Sequence, residues 1–167
     1  MSRRILVAGV GNIFLGDDAF GSEVARRLML RALPEEVQVN DYGTCSYDLA
    51  YAMMEGYEAT ILVDATPRGQ APGTVYLIEP DLNELDKMDS AVPDGHSMNP
   101  VSVLQMVRSL GCRPSRLYLV GCEPAALDRD DGVIGLSESV QAAVPRAIEM
   151  IESLMSKLLS ENHDAKI

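Results

Sequence analysis

Histidine is nearly absent from this chain: there are two in 167 residues, His96 and His163. His163 stands in the polar C-terminal stretch, where solvation is the expected fate. With one histidine inside the domain and no nucleophile elbow, neither a Ser-His-Asp nor a Cys-His arrangement is credible. Cysteine is sparse too. Cys45, Cys112 and Cys122 are odd in number and lack the paired spacing of zinc ribbons or redox motifs. They read as reduced thiols of a cytosolic protein, all three as buried small hydrophobes. No apolar run approaches the roughly 18 residues of a membrane span. The opening Met1-Ser2-Arg3-Arg4 leads into a short apolar run that reaches glycine at Gly9, so neither secretion nor membrane insertion is expected. Basic residues are also few: 14 Lys and Arg against 25 Asp and Glu, a net charge of −11. That excludes general affinity for nucleic acid, whose phosphates need clustered Lys and Arg, and acidity alone implies solubility.

What is present is enough for one well-buried core. The chain is 47% hydrophobic, with nine Pro and thirteen Gly spread along it. One domain is expected over residues 1–159, with a flexible C-terminal tail at 160–167. Residues 5–10 are continuously apolar and end at glycine, which reads as a buried strand; residues 19–33 follow as a helix stopped by Pro34. Residues 37–40 alternate as an edge strand, Ser46 can cap a helix over 47–55, and 61–63 is again a buried strand. The order so far is βαβαβ. From Ala65 to Gly73 the sequence is all turn signal, so the strand at 75–78 follows without a crossover helix and should run antiparallel to the third. The loop from 79 to 97 must then return to the upper edge. A helix from Pro100 to Leu110, capped by Asn99, descends to a parallel fifth strand at 117–120. The last helix spans about 139–159 with Pro145 inside it.

In open, mostly parallel sheets, ligands sit outside the carboxyl ends of strands. Asp18, Asp41, Asp64 and the Gly121-Cys122-Glu123-Pro124 turn all fall there, and the returning loop brings His96 to the same edge. Two carboxylates and an imidazole outline a metal site. A helix N-terminus disfavours imidazolium, which keeps His96 in the neutral form that a metal binds. Asp64 ends a buried apolar strand and needs a partner, which in so acidic a chain can be a cation. Adjacent carboxylates cannot easily turn to one point, so Asp17 reads as a helix cap and Asp18 as the ligand. The rival is a dinucleotide site, since Gly9-Val10-Gly11 begins like G-x-G-x-x-G. But Phe14 stands where the third glycine belongs, and a pyrophosphate would meet Asp17 and Asp18. Gly9 and Gly11 remain open between a tight turn and a functional role.

These blocks together resemble the hydrogenase maturation endopeptidase family. The resemblance rests on Gly9-Val10-Gly11-Asn12-Ile13-x-Leu15-x-Asp17-Asp18-x-x-Gly21, Asp41-x-Gly43-Thr44, Asp64-Ala65, Ala71-Pro72-Gly73-Thr74, His96 and Leu119-Val120-Gly121, in order along nearly the whole chain. It implies a phosphorylase/hydrolase-like three-layer α/β/α sandwich, with a mixed five-stranded sheet whose strand 4 is antiparallel. It also implies a cytoplasmic, monomeric protease of aspartyl type that removes a C-terminal extension from the nickel-loaded large subunit precursor of a [NiFe] hydrogenase. Asp18, Asp64 and His96 take the places of the family's metal-binding and catalytic residues, and Gly11, Asn12, Asp41, Gly43 and Thr44 those that receive substrate. Asp18 stands where many members have Glu, and Asp18-Ala19-Phe20-Gly21 departs from the commoner acid-Gly-x-Gly form. Two oxygens and one nitrogen suit nickel, carried here by the precursor, but are not selective, so zinc, copper or cadmium should compete. Two other classes of function fit the same sheet edge: a noncatalytic nickel-sensing chaperone, and a small-molecule hydrolase. For a phosphorylated substrate, the loops supply only Arg68.

Overall fold

Residues 5–10 are apolar without interruption, and in the computed structural model they form β1 (Ile5–Val10), buried along its whole length. The structure describes residues 4–87, 100–111, 113–125 and 134–164. β2 (Val37–Gly43) and β3 (Ala59–Ala65) flank β1 in parallel, and β5 (Leu117–Cys122) runs parallel beside β3. β4 (Val75–Ile78) pairs antiparallel with β5, giving the order β2-β1-β3-β5-β4. The direction of β4 follows from its helix-free connection to β3, as expected. It does not lie beside β3, however, because β5 inserts between them.

Side chains alternate across the sheet, and both faces are covered, which is why the central strands are apolar at successive positions. Ile5, Val7, Ile61, Val63 and Val120 pack on one face with α1 (Phe20–Met29) and α5 (Glu138–Asp164). Leu6, Ala8, Val10, Leu62 and Leu119 pack on the other with α2 (Ser46–Met53) and α4 (Pro100–Ser109). The result is the expected α/β/α sandwich around a mixed five-stranded sheet. α1 lies hard against its strands. A Cβ on Gly21 would sit 2.1 Å from the Val63 carbonyl oxygen and 2.2 Å from that of Val10, and one on Gly9 would sit 2.4 Å from the Gly21 oxygen. Close helix–sheet packing is by itself enough to require glycine at Gly9 and Gly21.

Several local expectations are corrected. A 3-10 turn (Gly16–Ala19) precedes α1, and the helix closes at Met29 through tight bonds from Leu30 N to Arg27 O and from Arg31 N to Leu28 O, before Pro34 is reached. Ser46 is the buried first residue of α2 and not its cap, the N-cap position belonging to Cys45. Cys45 is exposed, so only Cys122 is seen as a buried thiol; Cys112 lies outside the described residues. A short α3 (Leu82–Lys87) occupies part of the expected loop, its start held by Asn83 N donating to Asp81 Oδ1 at 2.8 Å. α5 continues to Asp164, through residues expected as tail, and Arg116 Nη1 meets Glu161 Oε2 at 2.8 Å across that turn.

Candidate functional site

β1 and β3 are neighbours, and the chain leaves them in opposite directions across the sheet: β1 leads outward to β2, while β3 borders the half containing β5 and β4. The crevice at the carboxyl ends of such a pair is a natural ligand position, because the loops diverge there. β3 itself carries Asp64, in register with Gly121 of β5, and the loop after β1 carries Asp18.

Asp64 is only 6% exposed. Burial pushes its carboxyl well above the usual carboxylate range, the negative charge of Asp18 pushes it further, and one backbone hydrogen bond from Ala65 opposes them. Asp18 is half-buried, and its Oδ2 accepts from Asn12 N at 2.8 Å. A buried carboxylate with a second carboxylate beside it is a donor set that a divalent cation would neutralise, and hard or borderline metals take such oxygens. Among the described residues no group of three His, Cys, Asp or Glu gathers around one point. His96, the expected nitrogen ligand, lies outside the described residues; α4 begins at Pro100, as the sequence indicates.

Asp17 is not a helix cap. The 3-10 turn has no side-chain cap, and Asp17 points inward at 3% exposure. Its Oδ1 accepts from Ser137 N at 2.6 Å, and its Oδ2 from Ala125 N at 2.8 Å and Ser137 Oγ at 2.9 Å. It ties the loop after β1 to the segment leaving β5 and to the approach to α5.

The expected substrate-contacting residues lie at the carboxyl end of β2 (Asp41, Gly43) and on the loops after β1 (Gly11, Asn12) and β2 (Thr44), and the two segments are bonded together by Gly11 N donating to Gly43 O at 3.0 Å. Gly11 is at φ +144°, and a Cβ there would meet the Asp18 carbonyl oxygen at 1.8 Å, so only glycine fits. The Asp41 carboxylate is engaged by the protein, accepting from Ser22 Oγ at 2.7 Å and Gly43 N at 3.0 Å, with Arg26 Nε 3.4 Å from its other oxygen. Thr44 is exposed beside it. Asn12 Oδ1 accepts from Phe14 N at 2.9 Å, and this bonded base presents Ile13, Phe14 and Leu15 to solvent next to Asp18.

Glu123 was visible in the sequence only as part of a turn. It is 5% exposed, and it accepts from Arg68 N at 2.7 Å, Gly69 N at 3.1 Å and Tyr76 Oη at 2.7 Å. The Tyr76 hydroxyl and these backbone amides hold its carboxyl below the usual range. The signal that marked Asp64, a carboxylate ending a buried apolar strand, applied to Glu123 equally. Neighbouring Cys122 is buried, and burial pushes its thiol up to about 11, far from a reactive thiolate.

A family model described as hydrogenase maturation protease matches residues 22–154. The hydrogenase 2 maturation protease of Escherichia coli (strain K12) is 33% identical over 150 residues, spanning 89% of this chain and 88% of its own. Coenzyme F420 hydrogenase subunit delta of Methanothermobacter thermautotrophicus is 32% identical over 153 residues, spanning 89% of this chain and 92% of its own. The solved structure of the hydrogenase maturating endopeptidase HybD from E. coli superimposes with a TM-score of 0.75 at 31% identity, covering 92% of this chain and 93% of that one. Family model, sequence and fold agree, and the chain belongs to the hydrogenase maturation protease family of peptidases.

Proposed function

We propose that this protein is the endopeptidase that removes the C-terminal extension from the nickel-loaded large subunit precursor of a [NiFe] hydrogenase, acting as a cytoplasmic monomer. The observation that carries the reading is the pairing of buried Asp64 with Asp18 at the carboxyl ends of β1 and β3. In this reading Asp18 and Asp64, with His96, offer oxygen and nitrogen donors to the nickel that the precursor already holds. That contact aligns one peptide bond. Gly11 and Asn12 after β1, Asp41 and Gly43 at the carboxyl end of β2, and Thr44 after it receive the adjoining segment of substrate. Hydrolysis then adds water across the aligned amide, its oxygen going to the carbonyl carbon and a proton to the departing amine. Nickel, zinc and cadmium would all be accepted by this donor set, so metal selectivity belongs to the precursor and not to the protease. No helix among the described residues is long and apolar enough to cross a membrane.

The test is mass spectrometry of candidate large-subunit precursors, each prepared with and without nickel and incubated with the purified chain. Nickel-dependent loss of one C-terminal peptide is expected, and should be absent with Asp18→Ala and Asp64→Ala. Tight binding without any cleavage would overturn the peptidase reading in favour of a nickel-sensing chaperone.

A further inference from the structure

We propose that Arg68 is a substrate-docking residue which holds a carboxylate of the precursor segment lying across the sheet edge; this deepens, and rests on, the reading of the edge as the peptidase site. In this acidic chain the described arginines are mostly occupied. Arg4, Arg26, Arg27, Arg31 and Arg116 each face a carboxylate of the protein. Arg68 is exposed on the loop directly after β3, and among the described residues no carboxylate pairs with its guanidinium.

The loop does not need that guanidinium to keep its shape. Its backbone is held by Glu123 at Arg68 N and Gly69 N, by Thr66 N donating to Cys122 O at 2.8 Å, and by Gly73 N donating to Glu123 O at 2.8 Å. Arg146 Nη2 adds a bond to Gly73 O at 3.0 Å. A buried carboxylate is thus committed to fixing the base of one exposed cation. The guanidinium carbon lies 5.1 Å from the Tyr76 ring centroid, and the Tyr76 hydroxyl is bonded to the same Glu123, so the plane on which the guanidinium rests is fixed as well. Stacking of an exposed guanidinium on this half-buried ring contributes little by itself. What it does is orient a planar fork of N–H donors, the geometry that takes a carboxylate through two parallel hydrogen bonds.

Arg68 is four residues beyond Asp64, so the two backbones are at most about 14 Å apart, the span of about four residues of extended substrate. With a net charge of −11 the surface as a whole repels acidic groups. One oriented cation at this edge therefore sets the position of an acidic group more than it adds general attraction. The carboxylate has two possible sources, an Asp or Glu side chain of the extension or its terminal carboxyl group.

The experiment compares wild type, Arg68→Gln and Arg68→Lys on the nickel-loaded precursor, reading kcat, KM and the equilibrium binding constant separately. Arg68→Gln should raise KM and Kd about tenfold with kcat within about twofold. Arg68→Lys should recover part of the loss, and the gap between variants should narrow at high salt. Two further substrates identify the source: a precursor whose extension has its Asp and Glu changed to amides, and one whose terminus is displaced by appended Gly and Ser residues. The one on which wild type and Arg68→Gln become equal carries the group. Equal KM and Kd for wild type and Arg68→Gln on the native precursor would overturn the proposal, as would a gap that persists on both altered substrates. If wild type binds but does not cut, the peptidase reading fails, and the Arg68 contribution is still decided by the binding constants.

Discussion

Asp17, Glu123 and Asp64 sit at the same edge of one sheet, and at 3%, 5% and 6% exposure they are equally buried. Their surroundings differ. Asp17 takes three hydrogen bonds from Ala125 and Ser137, and Glu123 takes bonds from two backbone amides and the Tyr76 hydroxyl. Asp64 has a backbone bond from Ala65 and a negative neighbour, Asp18. The saturated carboxylates brace loops, and for Glu123 the consequence is a carboxyl held below its ordinary range. Asp64, with a single backbone donor among the described residues, is pushed above it by burial and by the charge of Asp18, and this is the condition in which an external cation is most favourable. Burial alone therefore does not separate an acid that braces a loop from one whose charge is left uncompensated. The balance of donors does.

The sharpest way to break this comparison is Asp64→Asn. Processing should fall by at least about 100-fold while the fold is retained. The stability change has a defined sign. Asp64 has a folded pKa above its unfolded value, so stability falls as pH rises from about 4, where the unfolded chain ionises, through the raised folded value. Asp64→Asn removes that fall and should be more stable than wild type at neutral pH, as read by urea titration at several pH values. A variant less stable than wild type there would mean that Asp64 is a brace like the others.

Asp17→Ala should do the reverse. It leaves Ala125 N, Ser137 N and Ser137 Oγ without their acceptor, at a cost of about 2–4 kcal/mol in urea unfolding. A loss under about 1 kcal/mol would show that these donors find water or other partners instead.

Glu123→Gln should have the smallest effect, since an amide keeps one acceptor oxygen for the loop. Its pH trend should oppose that of Asp64. The folded pKa of Glu123 lies below the unfolded value, so its stabilisation is present above about 4.3 and is lost as pH falls through the depressed value. The gap between wild type and Glu123→Gln should accordingly close in acid. A gap that stays constant across that range would assign the effect to shape and not to charge.

Much of this architecture could be read along the chain. A strand buried on both faces is apolar at successive positions along most of its length, so β1 and the middle of β3 stand out as continuous runs. A turn-only connection reverses the chain, so the direction of β4 followed from Ala65 to Gly73. Asp18 and Asp64 were placed on one edge because each follows or ends such a run. All of these depend on local conformation and on a residue's own burial, properties that short stretches of sequence encode. What a polar group bonds to was legible only in the folded chain. The partners of Asp17 are 108 and 120 residues away, and those of Glu123 lie 47 to 55 residues back. The insertion of β5 between β3 and β4, the exposure of Cys45 and the early close of α1 are likewise set by which surfaces meet. Spacing along the chain places an acid at an edge; chain closure supplies or withholds the donors that decide whether it braces a loop or keeps an uncompensated charge.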